Sequence, residues 1–321
     1  MAIRTGVIGV GNLGQYHARV YHDLKESDLV GVVDSDPARA KEIAKKYKTR
    51  PFATLGELLA AGVEALSVVV PTPLHHEVTT RCLEAGVHVL LEKPIASTLE
   101  QADALTALAA AKNRVLQIGH IERFNQAVQA LHKLKTTPKF IEAHRLGPFV
   151  ARNLDTGVVL DLMIHDIDII LNLVDSKVVA VEGVGIPVLS PTEDIANARI
   201  RFESGCIANL TASRISPDKM RKIRVFQEDA YLSIDYVEQG VTFFEKKKGK
   251  APLLGGMQFG DVYITREKMP IEKGDSLQLE IQDFLKCVAT GQPPRVTGQH
   301  GREALALALE ITEQIRKTMR N

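Results

Sequence analysis

Hydrophobic and polar positions follow two different patterns along the chain, and the change falls near residue 125. Before it, short continuous apolar runs alternate with longer amphipathic stretches. The apolar runs, which we interpret as strands, cover residues 7–8, 29–33, 65–70, 87–91 and 115–118, and the amphipathic stretches, which we interpret as helices, cover 14–24, 37–47, 55–61, 75–85 and 99–111. Apolar strands separated by helices are typical of a doubly wound parallel α/β sheet with helices on both faces.

The second pattern is a residue-by-residue alternation of apolar and polar side chains. It covers residues 196–202, 206–213 and 222–226 and is typical of half-buried antiparallel strands. The stretch 240–274 is rich in Lys, Gly and Pro, so we expect loops and edge strands there, and helical patterns follow at 276–290 and 302–319. We therefore predict an N-terminal doubly wound domain over residues 1–122 and a C-terminal α+β domain, with an open and mostly antiparallel sheet, over residues 123–321.

Composition narrows the classes of protein that the chain can be. Its 321 residues, 45% of them hydrophobic and 25% charged, suit two domains that each bury a core. The formal net charge of +1 gives no electrostatic case for binding nucleic acid or a membrane surface. Three distant cysteines form no disulfide framework, and neither a signal peptide nor a run of about 18 apolar residues is visible. We expect a soluble cytoplasmic protein whose partner is a small molecule.

A glycine-rich motif follows the first predicted strand and opens the first predicted helix. It reads Gly9-Val10-Gly11-Asn12-Leu13-Gly14. The first glycine permits a tight turn, the second lets a pyrophosphate approach the backbone, and the third lets helix and strand pack closely. The helix N-terminus adds free N–H groups and the positive end of the helix dipole. This context predicts a dinucleotide site formed by Gly9, Gly11, Asn12, Leu13 and Gly14.

An acidic residue, Asp34, ends the next predicted strand, 20 residues after Gly14. A carboxylate at that spacing suits a hydrogen bond to the ribose 2′-hydroxyl, which favours NAD over NADP. Two alternatives stay open. Asp34 could instead cap the helix that begins at Pro37, and nearby Arg39 could accept a 2′-phosphate. We expect NAD as the cofactor.

The tripeptide Glu92-Lys93-Pro94 lies at the carboxyl end of a predicted strand. Open α/β sheets bind their ligands at that edge. A lysine there can donate a hydrogen bond to a substrate hydroxyl and stabilise the developing alkoxide, and the following proline restricts the lysine backbone. The alternative is an ordinary solvated turn.

Residues 157–174 form a predicted helix that is apolar except for one narrow polar stripe and Asp166. At about 100° per residue, the stripe contains Asp161, His165, Asp168 and Asn172. Such a stripe faces either a pocket or a polar partner inside the protein. Asp161 and His165 are one turn apart, and a carboxylate beside an imidazole makes a suitable general base for an alcohol.

Two other interpretations of this helix stay open. His165 could be a core histidine with structural acids around it. Asp161, His165 and Asp168 could bind a metal ion, but no second cluster of ligands lies near them in the sequence, so we expect no metal.

Taken together, the motifs resemble the Gfo/Idh/MocA oxidoreductase family along essentially the whole chain. The similarity rests on the glycine motif at Gly9, Val70-Pro71-Thr72-x-x-His75, Glu92-Lys93-Pro94, Gly119-His120-Ile121-Glu122-Arg123-Phe124-Asn125, Gly157-x-x-x-Asp161-x-x-x-His165, 279–284, 296–298 and 304–308. The resemblance implies an N-terminal Rossmann domain and a C-terminal domain whose open sheet mediates homodimers or homotetramers. It also implies oxidation of a secondary alcohol of a sugar or cyclitol by hydride transfer to the nicotinamide.

Carried over residue by residue, the resemblance implies a catalytic set of Lys93, Asp161 and His165. It places Pro71, Thr72, His75, Glu92 and Arg123 along the cofactor cleft. In this interpretation His165 takes the hydroxyl proton, Asp161 orients His165, and Lys93 polarises the oxygen.

The stretches 157–168 and 212–224 resemble the nucleotide-sugar branch of the family, whose members include enzymes that oxidise the 3-hydroxyl of UDP-N-acetylglucosamine. Basic residues suit a diphosphate, and Arg152, Arg214 and Arg221 are the candidates for binding it. The alternative is that they are solvated charges at strand ends. Two rival functions stay open: an inositol or free-sugar dehydrogenase of the same family, and a non-catalytic NAD-binding regulator.

Overall fold

The first part of the chain forms a parallel sheet with helices between its strands. The structure is a computed structural model that describes residues 2–134, 136–150, 156–252 and 256–319. In chain order the elements are β1 (Ile3–Ile8), α1 (Gly14–Asp23), β2 (Ser27–Val33), α2 (Pro37–Lys46), β3 (Arg50–Phe52), α3 (Leu55–Ala60), β4 (Ala65–Val68), α4 (His75–Glu84), β5 (His88–Glu92), α5 (Leu99–Ala111) and β6 (Leu116–Gly119). The strand order is β3-β2-β1-β4-β5-β6 and neighbouring strands pair in parallel.

This arrangement confirms the doubly wound fold that the sequence predicts. The strand order starts in the middle of the sheet and runs outward in both directions, with the change of direction at β1 and β4. Strand β3 was not anticipated, because it has three residues and Pro51 at its centre, which carries no strand signal. Ligands of such sheets bind at the carboxyl ends of the strands beside the change of direction.

Capping side chains explain where several helices begin. Asp36 accepts hydrogen bonds from the N–H groups of Ala38 and Arg39 at the start of α2, and threonines cap α3 and α5 in the same way. In contrast, no side chain of the described residues caps α1, which follows the glycine-rich motif. The N–H groups at the start of α1 are therefore not used by a capping side chain.

The second sheet has nine strands within the described residues. They are β7 (Phe140–Leu146), β8 (Val178–Ile186), β9 (Ile195–Phe202), β10 (Ile207–Ser213), β11 (Met220–Phe226), β12 (Ala230–Asp235), β13 (Gly240–Lys248), β14 (Gly256–Phe259) and β15 (Val262–Met269). Their order is β14-β15-β13-β12-β11-β7-β10-β9-β8, and only the β7–β10 pair among these described strands is parallel. The mostly antiparallel sheet is therefore confirmed. Within the stretch 240–274, β13, β14 and β15 are the three strands at one edge of this sheet.

The remaining helices are α6 (Gln126–Lys133), α7 (Ile164–Leu173), α8 (Ser276–Thr290) and α9 (Gly298–Met319), and a π-helical turn over Val159–Met163 leads into α7. No helix among the described residues is both long enough and apolar enough to cross a membrane.

Contacts along the chain group it into two units, each containing one of the sheets. The first consists of Met1–Ile121 and Asp275–Leu305, and the second of Glu122–Gly274 and Ala306–Asn321. The structure therefore departs from the predicted division, in which the second domain ran unbroken from residue 123 to 321. The reason is α8, because its apolar side chains, Ile281 and Phe284 among them, share a buried core with Val7 and Tyr21 of the first unit. An amphipathic pattern predicts a helix but does not reveal which sheet the helix covers.

Candidate active site

The glycine-rich motif forms a turn between β1 and α1 that tolerates no side chain at two of its glycines. Gly9 has a φ of +81°, and a Cβ there would overlap the carbonyl oxygen of Val69. A Cβ on Gly14 would overlap the carbonyl oxygen of Gly9. Above Gly11 the space is open, because the nearest atom to a Cβ there would be Nη1 of Arg39 at 3.8 Å. The turn thus leaves room for a ligand at its second glycine.

These features fit the diphosphate of a dinucleotide. The backbone is bare at Gly11, and Asn12 and Leu13 are exposed at the start of α1. Because α1 has no capping side chain among the described residues, its first N–H groups and the positive end of its dipole suit an anion. The predicted residues of the glycine-rich motif are therefore the ones that would hold NAD here.

Asp34 holds this turn in place. Its Oδ2 accepts a hydrogen bond from the N–H of Val10 at 2.8 Å, its Oδ1 accepts one from the N–H of Asp36 at 2.9 Å, and Nη1 of Arg39 lies 3.5 Å from Oδ1. The cap of α2 is Asp36 and not Asp34, so the alternative assignment of Asp34 as the helix cap is wrong. Asp34 lies at the end of β2, where a carboxylate suits the ribose hydroxyls of NAD.

The segment after β4 carries the next predicted cofactor residues. Pro71 is exposed, and Thr72 begins a short 3-10 turn that leads into α4. His75 is buried, with Nδ1 2.7 Å from the carbonyl oxygen of Pro94 and Nε2 2.9 Å from that of Val70. Burial lowers the pKa of His75, against the opposite effect of these two carbonyl groups. Both ring nitrogens thus face carbonyl oxygens of the protein.

Glu92 and Lys93 lie at the carboxyl end of β5, on the edge of the sheet that the sequence predicts. Glu92 is buried; its Oε1 lies 3.1 Å from Nε2 of His17 and its Oε2 accepts the backbone N–H of Lys93 at 3.3 Å. Gly119 leaves the space for this carboxylate, because a Cβ there would lie 3.0 Å from Oε1 of Glu92. Lys93 itself is half-buried. His17 was not anticipated, since a lone histidine on a helix carries no distinct signal.

The predicted polar stripe on the second unit divides into three environments. Asp161 lies in the π-helical turn and His165 in the first turn of α7, and both are half-buried. Asp168 is fully buried and accepts two hydrogen bonds from Arg123, at 2.7 and 2.9 Å. Asn172 is exposed and interacts with His132. Asp161 and His165 are therefore the two half-buried members of the stripe.

A metal site at this stripe finds no support in the described residues. Asp168 is committed to Arg123. No group of three His, Cys, Asp or Glu side chains within the described ranges could hold a metal ion.

Two buried arginines form ion pairs with acidic residues of α7 directly after His165. Arg145 of β7 donates to both oxygens of Asp166, at 2.8 and 2.9 Å, and to Glu122 at 2.9 Å. Burial opposes the charge of Arg145, but Asp166 and Glu122 outweigh it and raise the arginine's pKa. Arg123, which we expected in the cofactor cleft, makes the second pair with Asp168. The structure thus gives Arg123 an anchoring role on α7. Arg145 was missed because β7 itself was not recognised.

Gly157 has a role that the sequence did not reveal. A Cβ on Gly157 would overlap the carboxylate of Glu193, which is buried and accepts a hydrogen bond from the N–H of Val159 at 3.3 Å. The N–H of Val158 also donates to the backbone oxygen of Glu193, at 3.0 Å. A carboxylate at a helix N-terminus is favourable because it faces the positive end of the dipole. Glu193 therefore fixes the start of the segment that carries Asp161.

The three arginines expected to bind a diphosphate differ in their location and in their contacts. Arg152 lies outside the described residues. Arg214 is buried and donates to Asp194 at 2.7 Å, to the carbonyl oxygen of Thr156 at 2.8 Å and to Ser190 at 2.7 Å. It is therefore neither a solvated charge nor a group presented to substrate, and direct diphosphate binding by Arg214 finds no support. Arg221 is half-buried. It pairs with Arg145 across strands β11 and β7, so the two side chains lie on the same, covered face of the sheet.

Asp194 organises the loop around Arg214. Its Oδ2 accepts the N–H groups of Val188, Leu189 and Ser190, at 2.7, 2.5 and 3.0 Å. Burial raises its pKa, but these hydrogen bonds and the one from Arg214 outweigh that effect and hold the pKa well below its usual range. The Arg214–Asp194 pair is thus a structural element of the β8–β9 loop.

Comparison with known proteins gives independent evidence. Residues 3–120 match an oxidoreductase family described by its NAD-binding Rossmann fold, and residues 127–233 match the GFO/IDH/MocA C-terminal domain. A UDP-N-acetylglucosamine 3-dehydrogenase from Acidithiobacillus ferrooxidans is 39% identical over 310 residues, which cover 96% of this chain and 96% of that protein. The chain belongs to the Gfo/Idh/MocA family.

Other members of the Gfo/Idh/MocA family support the same assignment. A solved structure of the Acidithiobacillus ferrooxidans enzyme superposes with a TM-score of 0.93 at 38% identity, covering 100% of both chains. A scyllo-inositol 2-dehydrogenase (NAD(+)) from Bacillus subtilis is 25% identical over 348 residues, covering 99% of this chain and 95% of that one. The resemblance predicted from the motifs is confirmed, and so is NAD as cofactor. This Gfo/Idh/MocA protein is an NAD-dependent oxidoreductase that acts on CH–OH groups.

Proposed function

We propose that the protein oxidises the 3-hydroxyl of UDP-N-acetylglucosamine with NAD. The observation that carries this proposal is the 39% identity, over 96% of both chains, to a relative of that name. The TM-score of 0.93 to a solved structure of that relative supports it. The inositol dehydrogenase from Bacillus subtilis is a more distant relative, at 25% identity.

We propose that Lys93, Asp161 and His165 act on the substrate hydroxyl. Bound NAD supplies the acceptor for the hydride from carbon. His165 accepts the hydroxyl proton, and Asp161, one turn before it, orients the imidazole. Lys93 donates a hydrogen bond to the oxygen and stabilises the negative charge that develops there. The half-buried positions of all three side chains support this assignment, because such groups are shielded but reachable.

Arg221 is our candidate for a diphosphate contact. It is half-buried and, like Arg145, lies on the covered face of the sheet. Arg152 remains a second candidate.

The first experiment mixes the purified protein with NAD and UDP-N-acetylglucosamine and follows NADH absorbance, at single-turnover and catalytic enzyme concentrations. We expect a signal with the nucleotide sugar and none with myo-inositol or free hexoses. A signal confined to myo-inositol or a hexose would keep the dehydrogenase chemistry and reject the nucleotide sugar. Silence with every sugar, while NAD still binds, would favour the regulator.

The Lys93→Ala variant tests the catalytic assignment. We expect turnover to fall by about 100-fold or more, because the alkoxide loses a preorganised donor, while NAD binding stays unchanged. NAD binding is measured by calorimetry in parallel with turnover. Turnover near the wild-type rate would remove Lys93 from the catalytic set.

We further propose that the enzyme is cytoplasmic and forms homodimers or homotetramers through its second sheet. The three cysteines are free, as expected in a reducing compartment. On the less buried face of the sheet, ring centroids of Phe140, Phe226, Tyr231 and Phe244 follow one another at 5.8, 5.2 and 4.2 Å across four strands. A half-exposed aromatic row suits a protein partner. Light scattering of wild type and Tyr231→Glu tests this, and a monomeric wild type would reject it.

A further inference from the structure

The Glu92-Lys93-Pro94 tripeptide is held on both sides by buried histidines. On the N-terminal side, His17 of α1 contacts the Glu92 carboxylate at 3.1 Å. On the C-terminal side, His75 of α4 contacts the carbonyl oxygen of Pro94 at 2.7 Å. Both histidines are at most 1% exposed. Lys93 lies between the two supported residues.

The hydrogen bonds of His17 define which of its nitrogens carries a proton toward Glu92. A carboxylate is an acceptor, so Nε2 of His17 donates to Glu92. Nδ1 then accepts from the hydroxyl of Ser67 at 3.0 Å, and Ser67 in turn accepts from the hydroxyl of Tyr21 at 2.8 Å. This chain gives the side chains of Tyr21, Ser67 and His17 each a hydrogen-bond partner. Glu92 connects His17 to Lys93, because its second carboxylate oxygen accepts a hydrogen bond from the backbone N–H of Lys93.

The contacts of His75 connect two strand ends. Its Nδ1 faces the oxygen of Pro94, after β5, and its Nε2 faces the oxygen of Val70, after β4, at 2.9 Å. Both partners are acceptors, and a neutral ring has one N–H, so it can donate to only one of them at a time. The shorter contact is the one that reaches the tripeptide.

We propose that His17 and His75 are positioning residues that fix the backbone of Lys93 from opposite sides, and so direct its amine toward the substrate hydroxyl. The inference rests on the proposed role of Lys93. A lysine side chain has four rotatable bonds, so the direction of its amine depends on how firmly its backbone is held. A displacement of about 1 Å in a reacting group can cost about 100-fold in rate.

Substitution by asparagine or by glutamine can preserve one of the two hydrogen bonds of each histidine and remove the other. The amide nitrogen of asparagine can stand in for Nδ1, and that of glutamine can stand in for Nε2. His17 reaches Glu92 through Nε2, so His17→Gln keeps the useful contact and His17→Asn loses it. His75 reaches Pro94 through Nδ1, so the order is reversed: His75→Asn keeps the contact and His75→Gln loses it.

The experiment compares these four variants in the full-length protein, with His22→Gln and His76→Gln as controls on the same two helices. We expect His17→Asn and His75→Gln to lower kcat by about 10- to 100-fold, with KM for NAD within about 3-fold of wild type. His17→Gln, His75→Asn and both controls stay within about 3-fold of wild type in kcat. Thermal unfolding of each variant identifies any that does not fold.

A second measurement gives the chemical reactivity of the Lys93 amine in the absence of substrate. Trace acetylation by acetic anhydride, followed by mass spectrometry, gives the reactivity of Lys93 relative to exposed lysines in the same molecule. We expect at least about a 3-fold change in the two disruptive variants only, since they release the backbone that orients the amine.

A reversed preference in kcat and in Lys93 reactivity at the two histidines supports the proposal, because a role in stability alone would lower the unfolding temperature and change neither quantity in folded protein. The same ranking of asparagine and glutamine at both sites would overturn it, as would unchanged Lys93 reactivity in all folded variants. If wild type does not oxidise UDP-N-acetylglucosamine, the proposed function fails and the acetylation pattern still decides this inference. If one disruptive variant does not fold, the asparagine and glutamine variants of the other histidine decide whether the proposal holds.

Discussion

Glu280 of α8 is a carboxylic acid with no contact to solvent. Its side chain is fully buried, and neither carboxyl oxygen has a hydrogen-bond partner within the described residues. Burial, followed by the charges of Glu92 and Asp283, raises its pKa well above the ordinary value. Glu280 is therefore neutral in the folded protein at pH values where it ionises in the unfolded chain.

The Glu280→Gln variant should stabilise the protein in a pH-dependent way. Because the folded-state pKa is raised, the wild type has its full stability below the unfolded pKa of 4.5 and loses stability as the pH rises from there toward the folded pKa. Glutamine has no such loss. We expect a gain of about 1–3 kcal/mol in the free energy of unfolding at about pH 8, and a smaller one at about pH 5. Urea unfolding at both pH values measures it.

Glu303→Gln is the matched control for this prediction, because Glu303 is exposed on α9. It should leave the free energy of unfolding unchanged at both pH values. Equal gains for Glu280→Gln at both pH values would show that Glu280 is not neutral in the folded state.

Helix α7 depends on the ion pair between Arg123 and Asp168 for its position. The two side chains are 5% and 1% exposed and form two hydrogen bonds. Removing one member of a buried pair leaves the other charge without compensation, which costs about 3–5 kcal/mol. We expect Arg123→Met to lose about that much in free energy of unfolding.

The same variant tests whether Arg123 also contacts the cofactor. As an anchor of α7, it should leave the Kd for NAD within about 3-fold of wild type, since one lost contact to a charged group would cost more. Calorimetry measures this Kd under conditions in which the variant is folded. Adding Asp168→Leu should restore part of the stability, because the unpaired charge is removed. A Kd raised tenfold or more in folded protein would place Arg123 in the cofactor cleft, as the sequence led us to expect.

The start of the α7 segment depends on Gly157. An alanine Cβ would overlap the Glu193 carboxylate, which is buried against the N–H of Val159. We expect Gly157→Ala to cost about 2–3 kcal/mol by urea unfolding, because a buried carboxylate is displaced. In the Gly157→Ala/Glu193→Ala double variant the overlap is gone, so the two costs should not add. Strict additivity would exclude this explanation.

On the scale of the whole molecule, the first unit needs the returning segment 275–305. Strand β6 is bonded to it, since the N–H of Ile118 donates to the oxygen of Val296 at 3.0 Å. Gln117 also donates to the backbone oxygen of Glu280 at 3.1 Å. We expect residues 1–121 alone to lack a cooperative unfolding transition, and the same residues joined by a flexible linker to 275–305 to have one and to bind NAD. Cooperative folding of 1–121 alone would contradict this prediction.

The sequence predicts elements well wherever one local pattern decides. The glycine-rich turn, the strand that ends at Glu92 and helix α8 follow from residue types and periodicity, and the structure has them. Strand β7 was missed although its burial alternates throughout, because its buried face includes Arg145. A charged residue at an inward position hides a strand pattern, since its partners, Glu122 and Asp166, are distant in the sequence.

The same holds for the candidate site: local spacing predicts some of its features, but contacts between residues distant in the sequence cannot be predicted from it. Spacing alone pairs Asp161 with His165 and places Lys93 at a strand end. It cannot show that Arg214 forms an ion pair with Asp194, or that the ring nitrogens of His75 contact two backbone carbonyl groups. Basic residues in a motif look alike whether they face a ligand or a buried acid, and only the fold separates the two.

The division of the chain has a consequence for its synthesis. The ribosome makes β1 to β6 well before Leu277, Ile281 and Phe284, which complete their core and follow the whole second sheet in the sequence. While the second sheet is being made, the nascent chain therefore carries an unfinished apolar core outside the exit tunnel. During that interval the N-terminal part of the chain is the part most open to chaperones and proteases.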